Sequence, residues 1–331
     1  MTLKVVPNRK IWFTISGALF VLSIVGYGIW GLKFGIDFTG GSLMELEFQQ
    51  VPTKEEVITT IKAAETGVNA KIDATIKNPA LAKVDEKSAN PFPIPTAPIE
   101  FGEPLLTPIS KGYAVRLKTL DPYSHEEIKT ALVKQYPGTV EKKFVTIGAT
   151  VGESIRQNAY ISLAVVLAGM ILFIAYAFRK VPKNISPWKF GVTAVVAMFH
   201  DVFVPIGIFV LLGQLLHVEV ESFIITALLT VMGFSVHDTI VVFDRIRENL
   251  QFQKKDETFA DIAEKSVHQT FARSINTSVT TFITLLFLFI FGSESIRWFV
   301  FTMIIGIVIG TYSSIFIAAP LLVAWKEKEA K

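Results

Sequence analysis

Six long apolar segments constrain the fold of this chain more than any other feature of its sequence. They cover residues 11–31, 158–178, 190–212, 223–243, 275–292 and 297–324. Each has about the 20 mainly apolar residues that a helix needs to cross a bilayer, and the mean hydropathy of the chain is +0.47. The sequence therefore predicts a polytopic α-helical membrane protein with six transmembrane helices.

Lysine and arginine residues lie mainly on one side of the predicted helices. They are concentrated in residues 1–10, in the connection between helices two and three, after helix four and in the tail 325–331, whereas residues 213–222 contain none. The connection between helices two and three carries Arg179, Lys180, Lys183 and Lys189. Because cytoplasmic loops are enriched in these residues, we expect both termini in the cytoplasm and residues 32–157 outside it.

Residues 32–157 are far more polar than their flanks and long enough for one folded domain. Thr53 and Glu56 are predicted to form a capping box at the start of one helix, and Ser124 with Glu127 is predicted to cap a second. The predicted strands are 42–48, 68–76, 112–120 and 139–148, and the predicted helices are 53–65 and 121–136. This order, β-α-β followed by β-α-β, favours an α+β domain of the ferredoxin-like kind.

A proline-rich segment, residues 90–108, separates the two halves of this domain. It holds six of the 15 prolines of the chain, and such a density excludes a helix or a central strand. Two interpretations remain open. The segment is either an extended surface loop or a docking arm for a partner protein, which polyproline segments can provide.

Asp238 lies within the fourth apolar segment, where a charged side chain costs about 2.5–3.5 kcal/mol even on lenient insertion scales. A carboxyl group in this position can carry a proton. Arg273, at the inner start of the predicted fifth helix, has a stem long enough to bring its guanidinium toward Asp238. We predict a proton relay formed by Asp238 and Arg273; the alternative is a structural ion pair that positions the helices.

Four further residues are predicted to support this relay. His200 and Asp201 lie in the third apolar segment at nearly the depth of Asp238, and they act either in the relay or as a hydrogen-bonded packing pair. His237 points about 100° away from Asp238 around the helix, so we expect it to pack or to contact water. Thr239 supplies a hydroxyl that can hold water or satisfy a carboxyl group.

Small residues in the sixth apolar segment form the pattern GIVIG at 306–310. Such small-xxx-small patterns allow two helix backbones to approach closely. The pattern predicts close packing of this helix against another helix of the chain or against a partner.

The composition excludes several classes of function. The chain has no cysteine, which excludes disulfides, thiolate metal sites and cysteine catalysis. The two intramembrane histidines lack the i, i+3 or i+4 spacing of a helical metal motif, and a net charge of +3 without a basic patch gives no indication of nucleic-acid binding. We therefore expect no metal ion or cofactor, and a transport function rather than an enzymatic one.

Five motifs of the chain resemble the SecD/SecF family of protein-export membrane proteins. They are GIDFTGGS (35–42), IGATVGES (147–154), FHDVFVPIGIF (199–209), SVHDTIVVFDRIREN (235–249) and RSINTSVTTF (273–282). The resemblance covers nearly the whole chain in order, and it is closer to the SecF members than to the SecD members. It implies that the proton-path aspartate of the family falls on Asp238 and its neighbouring arginine on Arg273.

The resemblance also implies a function. Members of this branch are subunits of the bacterial plasma (inner) membrane that use the proton motive force to help the Sec translocase export preproteins. The implied partners are SecD, as a heterodimer, the SecYEG channel, YajC, SecA, the translocating preprotein and membrane lipid. The implied architecture is one half of a transporter of the resistance-nodulation-division superfamily.

Three other functions remain open on the sequence alone. Half of a proton-coupled efflux transporter for small molecules or lipids would use the same relay, but the short loops outside the single domain argue against it. An intramembrane hydrolase or metal enzyme would also place aspartates and histidines at one depth, but no serine or cysteine nucleophile arrangement accompanies them. A purely structural subunit would tolerate Asp238→Asn with little loss.

Overall fold

The computed structural model describes residues 4–78, 90–179 and 186–329. The chain divides into two compact units, one formed by Met1–Lys33 with Asn158–Lys331 and the other by Phe34–Gln157. The basic residues Lys180 and Lys183, and the last two residues of the predicted tail, lie outside the described residues.

The elements follow one another in a simple order along the chain. They are α1 (Arg9–Trp30), α2 (Ile36–Thr39), β1 (Gly41–Glu47), α3 (Lys54–Lys77), β2 (Leu105–Ile109), β3 (Gly112–Leu117), α4 (Pro122–Gln135), β4 (Val140–Ile147), α5 (Ala149–Ala177), α6 (Pro187–Leu216), α7 (Ser222–Gln251), α8 (Phe259–Phe291), α9 (Arg297–Ser313) and α10 (Ala319–Glu329). A short 3₁₀ turn, Glu294–Ile296, precedes α9, and a π-helical segment, Ser314–Ala318, joins α9 to α10.

Six helical segments within the described residues are long and apolar enough to cross a membrane. They are α1, α5, α6, α7, α8 and the continuous segment Glu294–Glu329, so the predicted number of spans is confirmed. The helices are longer than the predicted apolar segments, because polar residues at their ends are also helical. In α8, a capping box of Thr258 and Asp261 starts the helix at Phe259. Arg273 therefore lies well inside α8, and its predicted place at the start of that helix was wrong.

The spans differ in how much of their surface the unit itself buries. In their most apolar stretches, 56% of residues are buried in α6, 50% in α7 and 56% in the last segment, against 6% in α1, 6% in α5 and 11% in α8. Helices α6, α7 and α9 thus form the interior of this unit. Helices α1, α5 and α8 present most of their apolar side chains outward.

Glycines allow α9 to pack directly on α7. A Cβ atom added at Gly306 would lie 2.2 Å from Val231 Cγ2, and one added at Gly310 would lie 3.0 Å from Ser235 Cβ. Neither glycine can therefore carry a larger side chain without a shift of the helices. The close packing predicted from GIVIG is confirmed, and the neighbour is α7 of the same chain.

The unit Phe34–Gln157 contains a four-stranded sheet in the order β2-β3-β1-β4, with all neighbouring strands antiparallel. In the central strand β1, Met44 pairs with Val115 on one side and with Phe144 on the other. Buried side chains of the strands and of α3 and α4 form one core. It includes Met44, Leu46, Val57, Ile61, Val68, Ile72, Val115, Leu117, Ile128 and Leu132.

Two adjacent glycines lead into β1, and both need the freedom that glycine provides. Gly40 has φ 70° and Gly41 has φ 119°, a region that side chains with a Cβ rarely adopt. A Cβ atom at Gly40 would lie 2.9 Å from Ala149 Cα, and one at Gly41 would lie 2.7 Å from the Leu117 carbonyl oxygen. Residues with a Cβ atom are therefore disfavoured at both positions.

Two predicted features of this unit were wrong. Residues 68–76 continue α3 instead of forming a strand, because Val57, Ile61, Val68 and Ile72 are buried at helical spacing on one face. The capping box of Thr53 and Glu56 at the start of that helix is confirmed. The second helix is capped by Asp121, whose side chain accepts hydrogen bonds from the Tyr123 and Ser124 backbone amides, and not by Ser124.

The proline-rich segment is held against the helices of its own unit. Asn69 exchanges two hydrogen bonds of 2.9 Å with the backbone of Ile99, and the Phe101 amide donates to Glu65 Oε1 at 2.9 Å. Phe101 is fully buried in the core. The segment ends in β2, an edge strand, where the missing N–H of Pro108 is tolerated. These contacts favour the interpretation as a packed surface loop over that of a docking arm.

The α7–α9 contact yields a test of the fold. We expect Gly306→Ala to lower the free energy of unfolding by about 1–3 kcal/mol, because the added methyl group forces the two helices apart. Gly169→Ala is the matched control, since a Cβ atom at Gly169 would meet nothing within 4 Å. Thermal unfolding of the purified full chain, followed by helicity, measures both. Equal melting temperatures for the two variants would contradict the packing described here.

Candidate functional site

Asp201 is the most completely hydrogen-bonded carboxylate in the interior of the membrane unit. It lies on α6, is fully buried, and contacts His200 Nδ1 through Oδ1 at 3.0 Å. Its Oδ2 accepts hydrogen bonds from Ser235 Oγ of α7 and from Ser313 Oγ at the end of α9, the latter at 2.5 Å. The three interior helices α6, α7 and α9 therefore meet at this one side chain.

Two hydroxyls of this region lie where α9 meets the π-helical segment. Ser313 is the last residue of α9, and Ser314 is the first residue of the π-helical segment. Ser314 Oγ shares a hydrogen bond of 2.9 Å with Thr239 Oγ1 of α7 and also donates to the Gly310 carbonyl oxygen at 2.8 Å. Thr239, predicted as a supporting residue, is thus buried in a second α7–α9 contact next to the Asp201 cluster.

Asp238 has different surroundings, although it lies on the same helix as Ser235. Only 3% of the residue is exposed, and its Oδ2 accepts no hydrogen bond from any described residue. The hydroxyls of Ser274 on α8 and Thr311 on α9 lie close to the carboxyl group. Asp238 is therefore an enclosed carboxylate whose hydrogen-bonding capacity is only partly used.

Arg273 and His237 both lie near Asp238 without binding it. Each is close enough to interact with its charge, but among the described residues no nitrogen of either side chain lies within the 4.0 Å of an ion pair with Asp238. Both residues are exposed on the surface of the isolated chain. The geometry thus leaves Arg273 as an electrostatic neighbour of Asp238, and it places His237 on an outer face of α7, the orientation that the helical geometry predicts.

His200 has an interior position beside Asp201. It is 6% exposed, and its ring lies nearly parallel to that of Phe20 on α1, with centroids 6.4 Å apart. Its Nε2 is buried without a hydrogen-bond partner among the described residues. The hydrogen-bonded pair of His200 and Asp201 is therefore present, and it belongs to a cluster separate from Asp238.

Of the hydroxyls around Asp238 on α8 and α9, the sequence points to Ser278, in one run with Thr277, Thr280 and Thr281, but not to Ser274 or Thr311. Thr270, Ser274 and Ser278 are buried at intervals of four residues on α8, and Ser278 Oγ hydrogen-bonds Thr311 Oγ1 of α9 at 2.5 Å. The spacing of the α8 hydroxyls was a usable signal, because i, i+4 positions share one helix face. Thr277 and Thr280 of the same run are exposed, and Thr281 is partly buried.

No group of three or more histidine, aspartate or glutamate residues within residues 4–78, 90–179 and 186–329 is arranged to hold a metal ion. The chemistry that the described cluster offers is that of carboxyl and hydroxyl groups enclosed by apolar helices. Such groups can take up, hold and release protons.

Comparison with known families assigns most of the chain. The family model "Protein export membrane protein SecD/SecF, C-terminal" matches residues 127–328, and the model "SecD/SecF GG Motif" matches residues 31–50. The second match contains the two glycines, Gly40 and Gly41, whose backbone geometry excludes larger residues.

Curated relatives match over nearly their whole length. The protein translocase subunit SecF of Thermobaculum terrenum is 37% identical over 99% of this chain and 95% of its own, and the subunit of the same name from Desulfurispirillum indicum is 36% identical over 95% and 88%. Residues of all six spans and of the unit between the first two are included in these alignments.

A solved structure has the same fold. The crystal structure of SecDF, a translocon-associated membrane protein from Thermus thermophilus, superposes with a TM-score of 0.75 at 28% identity, over 99% of this chain and 39% of that one. A second SecDF structure, in a super-membrane-facing form, gives a TM-score of 0.65 at 27% identity over 100% and 39%. This chain thus corresponds to less than half of the length of SecDF. From its sequence and its architecture, the chain belongs to the SecD/SecF family of protein export membrane proteins.

Proposed function

We propose that this chain is an accessory subunit of the Sec preprotein translocase, driven by the proton motive force and acting with SecD to complete export across the plasma membrane. The observation that carries the proposal is the enclosed carboxyl group of Asp238, with an oxygen that no described residue hydrogen-bonds. The relatives are named translocase subunits, which supports a transport role rather than an enzymatic one.

Asp238 is the proton carrier in this proposal. A charged carboxylate with an unused acceptor is costly in a bilayer, and binding a proton removes the charge. Neutralisation also ends its attraction to the nearby Arg273. The two protonation states therefore favour different positions of α7 and α8, which is what a two-state motor element requires.

Asp201 has a positioning role instead. Partners on three helices hydrogen-bond its carboxyl group, so this side chain ties the three helices together. The cluster of Asp201, His200, Ser235 and Ser313 fixes α6, α7 and α9 around the relay. Thr239 and Ser314 hold the same helix pair one turn further along.

The energy available from protons is sufficient for such a motor. One charge that crosses 100 mV supplies about 2.3 kcal/mol, which biases a two-state element by a factor of about 50. In the proposed cycle, the resulting helix movement is transmitted to the unit Phe34–Gln157. This unit then alternately grips and releases an emerging chain. No cofactor takes part; the proton is the only co-substrate.

Further features of the proposal concern partners and orientation. The chain matches 39% of the length of SecDF, which supports SecD as the partner that supplies the remaining part; SecYEG, YajC and SecA are the proposed further partners. Both termini lie in the cytoplasm and residues 32–157 outside it, as the lysine and arginine distribution indicates.

The element order β1-α3-β2-β3-α4-β4 and the sheet order β2-β3-β1-β4 support a ferredoxin-like domain outside the membrane.

Asp238→Asn tests the relay directly. The amide keeps the size of the side chain but cannot carry a proton, so we expect gradient-stimulated export into sealed vesicles to fall to the level seen without a gradient. Asp244→Asn on the same helix is the matched control, because Asp244 pairs with Arg247 at the end of the span and is half exposed. Export of Asp238→Asn that still responds fully to an imposed proton gradient would refute the relay.

The positioning role of Asp201 predicts energetic coupling between two helices. Ser235→Ala and Ser313→Ala each remove one donor to the same carboxylate oxygen. We expect the cost of the double variant to differ from the sum of the single costs by about 0.5–3 kcal/mol. Thr226→Ala is the control, since this exposed hydroxyl donates only within α7, and its pairing with Ser235→Ala should be additive. Unfolding by a denaturing detergent measures each free energy, and additivity of the serine pair would contradict a shared anchor.

The alternative function, half of a proton-coupled efflux transporter for small molecules or lipids, requires a different partner. We expect the full chain, purified from its native membrane under mild conditions, to retain a SecD-like subunit and to stimulate preprotein export. Retention of an efflux subunit instead, with proton-dependent extrusion of a small molecule or lipid and no effect on export, would favour the alternative.

A further inference from the structure

We propose that a groove between α5 and α6 binds an anionic phospholipid of the bilayer, with the phosphate held by Arg179 and an acyl chain in the groove. The groove has a volume of about 650 Å³, which lies in the range of small-molecule sites. It is formed where α5 ends and α6 begins, at the boundary of two predicted membrane spans. The relay residues take no part in it.

The wall of the groove is apolar along its length. Ile171 and Ala175 of α5 face Val192, Val195, Val196 and Phe199 of α6 across it. Both helices are long and apolar enough to span a membrane, so we infer that this opening lies at the level of the lipid. A flexible hydrocarbon chain fills a groove of this composition without leaving a polar group unsatisfied.

The mouth of the groove carries an arginine, Arg179, whose guanidinium forms no ion pair with a described residue. By contrast, ion pairs are formed by four other arginines of the membrane unit, Arg9, Arg245, Arg247 and Arg297. No described carboxylate lies within 4.0 Å of the Arg179 guanidinium. A cation at the edge of a membrane groove that has no counter-ion among the described residues is complementary to a lipid phosphate.

The guanidinium is also held in place before a ligand binds. It lies 3.7 Å from the centroid of the Tyr176 ring, and its Nη1 donates to the Tyr176 carbonyl oxygen at 3.4 Å. Stacking on a ring leaves the edge donors of arginine free for the planar, two-point contact that a phosphate accepts. Fixing the side chain in advance lowers the entropy lost on binding.

Two further features fit a lipid better than a protein helix. Trp188 lines the mouth and is 67% exposed, and tryptophan is typical of the headgroup level, where its ring meets both phases. The end of α5 is fixed by Phe178, which packs on Phe190 and Phe243 with centroids 5.2 and 5.8 Å away. The groove is therefore a fixed opening with an apolar interior and a cationic rim, which matches the two parts of an anionic lipid.

Lipid titration of the purified full chain tests this proposal. Native mass spectrometry measures the dissociation constants of dimyristoyl phosphatidylglycerol and of dimyristoyl phosphatidylcholine, which have the same acyl chains. We expect the anionic lipid to bind more tightly, and Arg179→Gln to weaken its binding by about fivefold, as expected for ~1 kcal/mol per surface cation. Lys255→Gln, an exposed lysine between α7 and α8, removes the same charge elsewhere and should have no effect. Glycerol phosphate, the headgroup alone, should compete poorly.

A second variant tests the acyl-chain part of the site. Val196→Trp fills the groove and should weaken binding of both lipids while helicity stays unchanged. Equal binding of the two lipids, equal effects of Arg179→Gln and Lys255→Gln, or no effect of Val196→Trp would each overturn the proposal. So would a photo-reactive residue at position 188 that cross-links a protein chain instead of lipid in native membranes.

Discussion

The bilayer offers no water to a buried polar group, and this constraint decides how the interior of the membrane unit is built. Two carboxylates, Asp201 and Asp238, lie among apolar helices, and each must find its partners within protein. Both oxygens of Asp201 have hydrogen-bond partners, namely His200, Ser235 and Ser313. In Asp238, Oδ2 has no hydrogen bond from a described residue. In the proposed relay, this difference separates an anchor from a group that exchanges a proton.

Close helix packing is what brings short hydroxyl side chains within reach of these carboxylates. Gly306 and Gly310 let α9 lie directly against α7, and Ser313 and Ser314 at the end of this helix hydrogen-bond Asp201 of α6 and Thr239 of α7. A serine side chain reaches across a helix interface only when the backbones are close. The hydrogen bonds of the serine hydroxyls therefore depend on the close helix packing that the glycines allow.

The spans, the capping box at Thr53 and the glycine packing could be predicted because each depends on local pattern. The burial of Asp238 also followed from its position inside an apolar segment. Residues 68–76 were assigned to a strand because their alternation over a few residues resembles that of a strand, whereas the longer helical period that includes Val57 and Ile61 decided the fold. The different surroundings of Asp201 and Asp238 could not be predicted, because they depend on side chains of other helices, such as Ser313 for Asp201, that are far away in the sequence.

The central claim is that the Asp238 carboxyl group gains and loses a proton in the folded protein, and infrared difference spectroscopy of the full chain in lipid tests it most directly. The relay proposal predicts a protonated-carboxyl C=O band that appears and disappears as pH is changed, and that is absent from Asp238→Asn while remaining in Asp201→Asn. A spectrum in which no such band depends on Asp238 at any accessible pH would contradict the proposal and leave the residue a structural one.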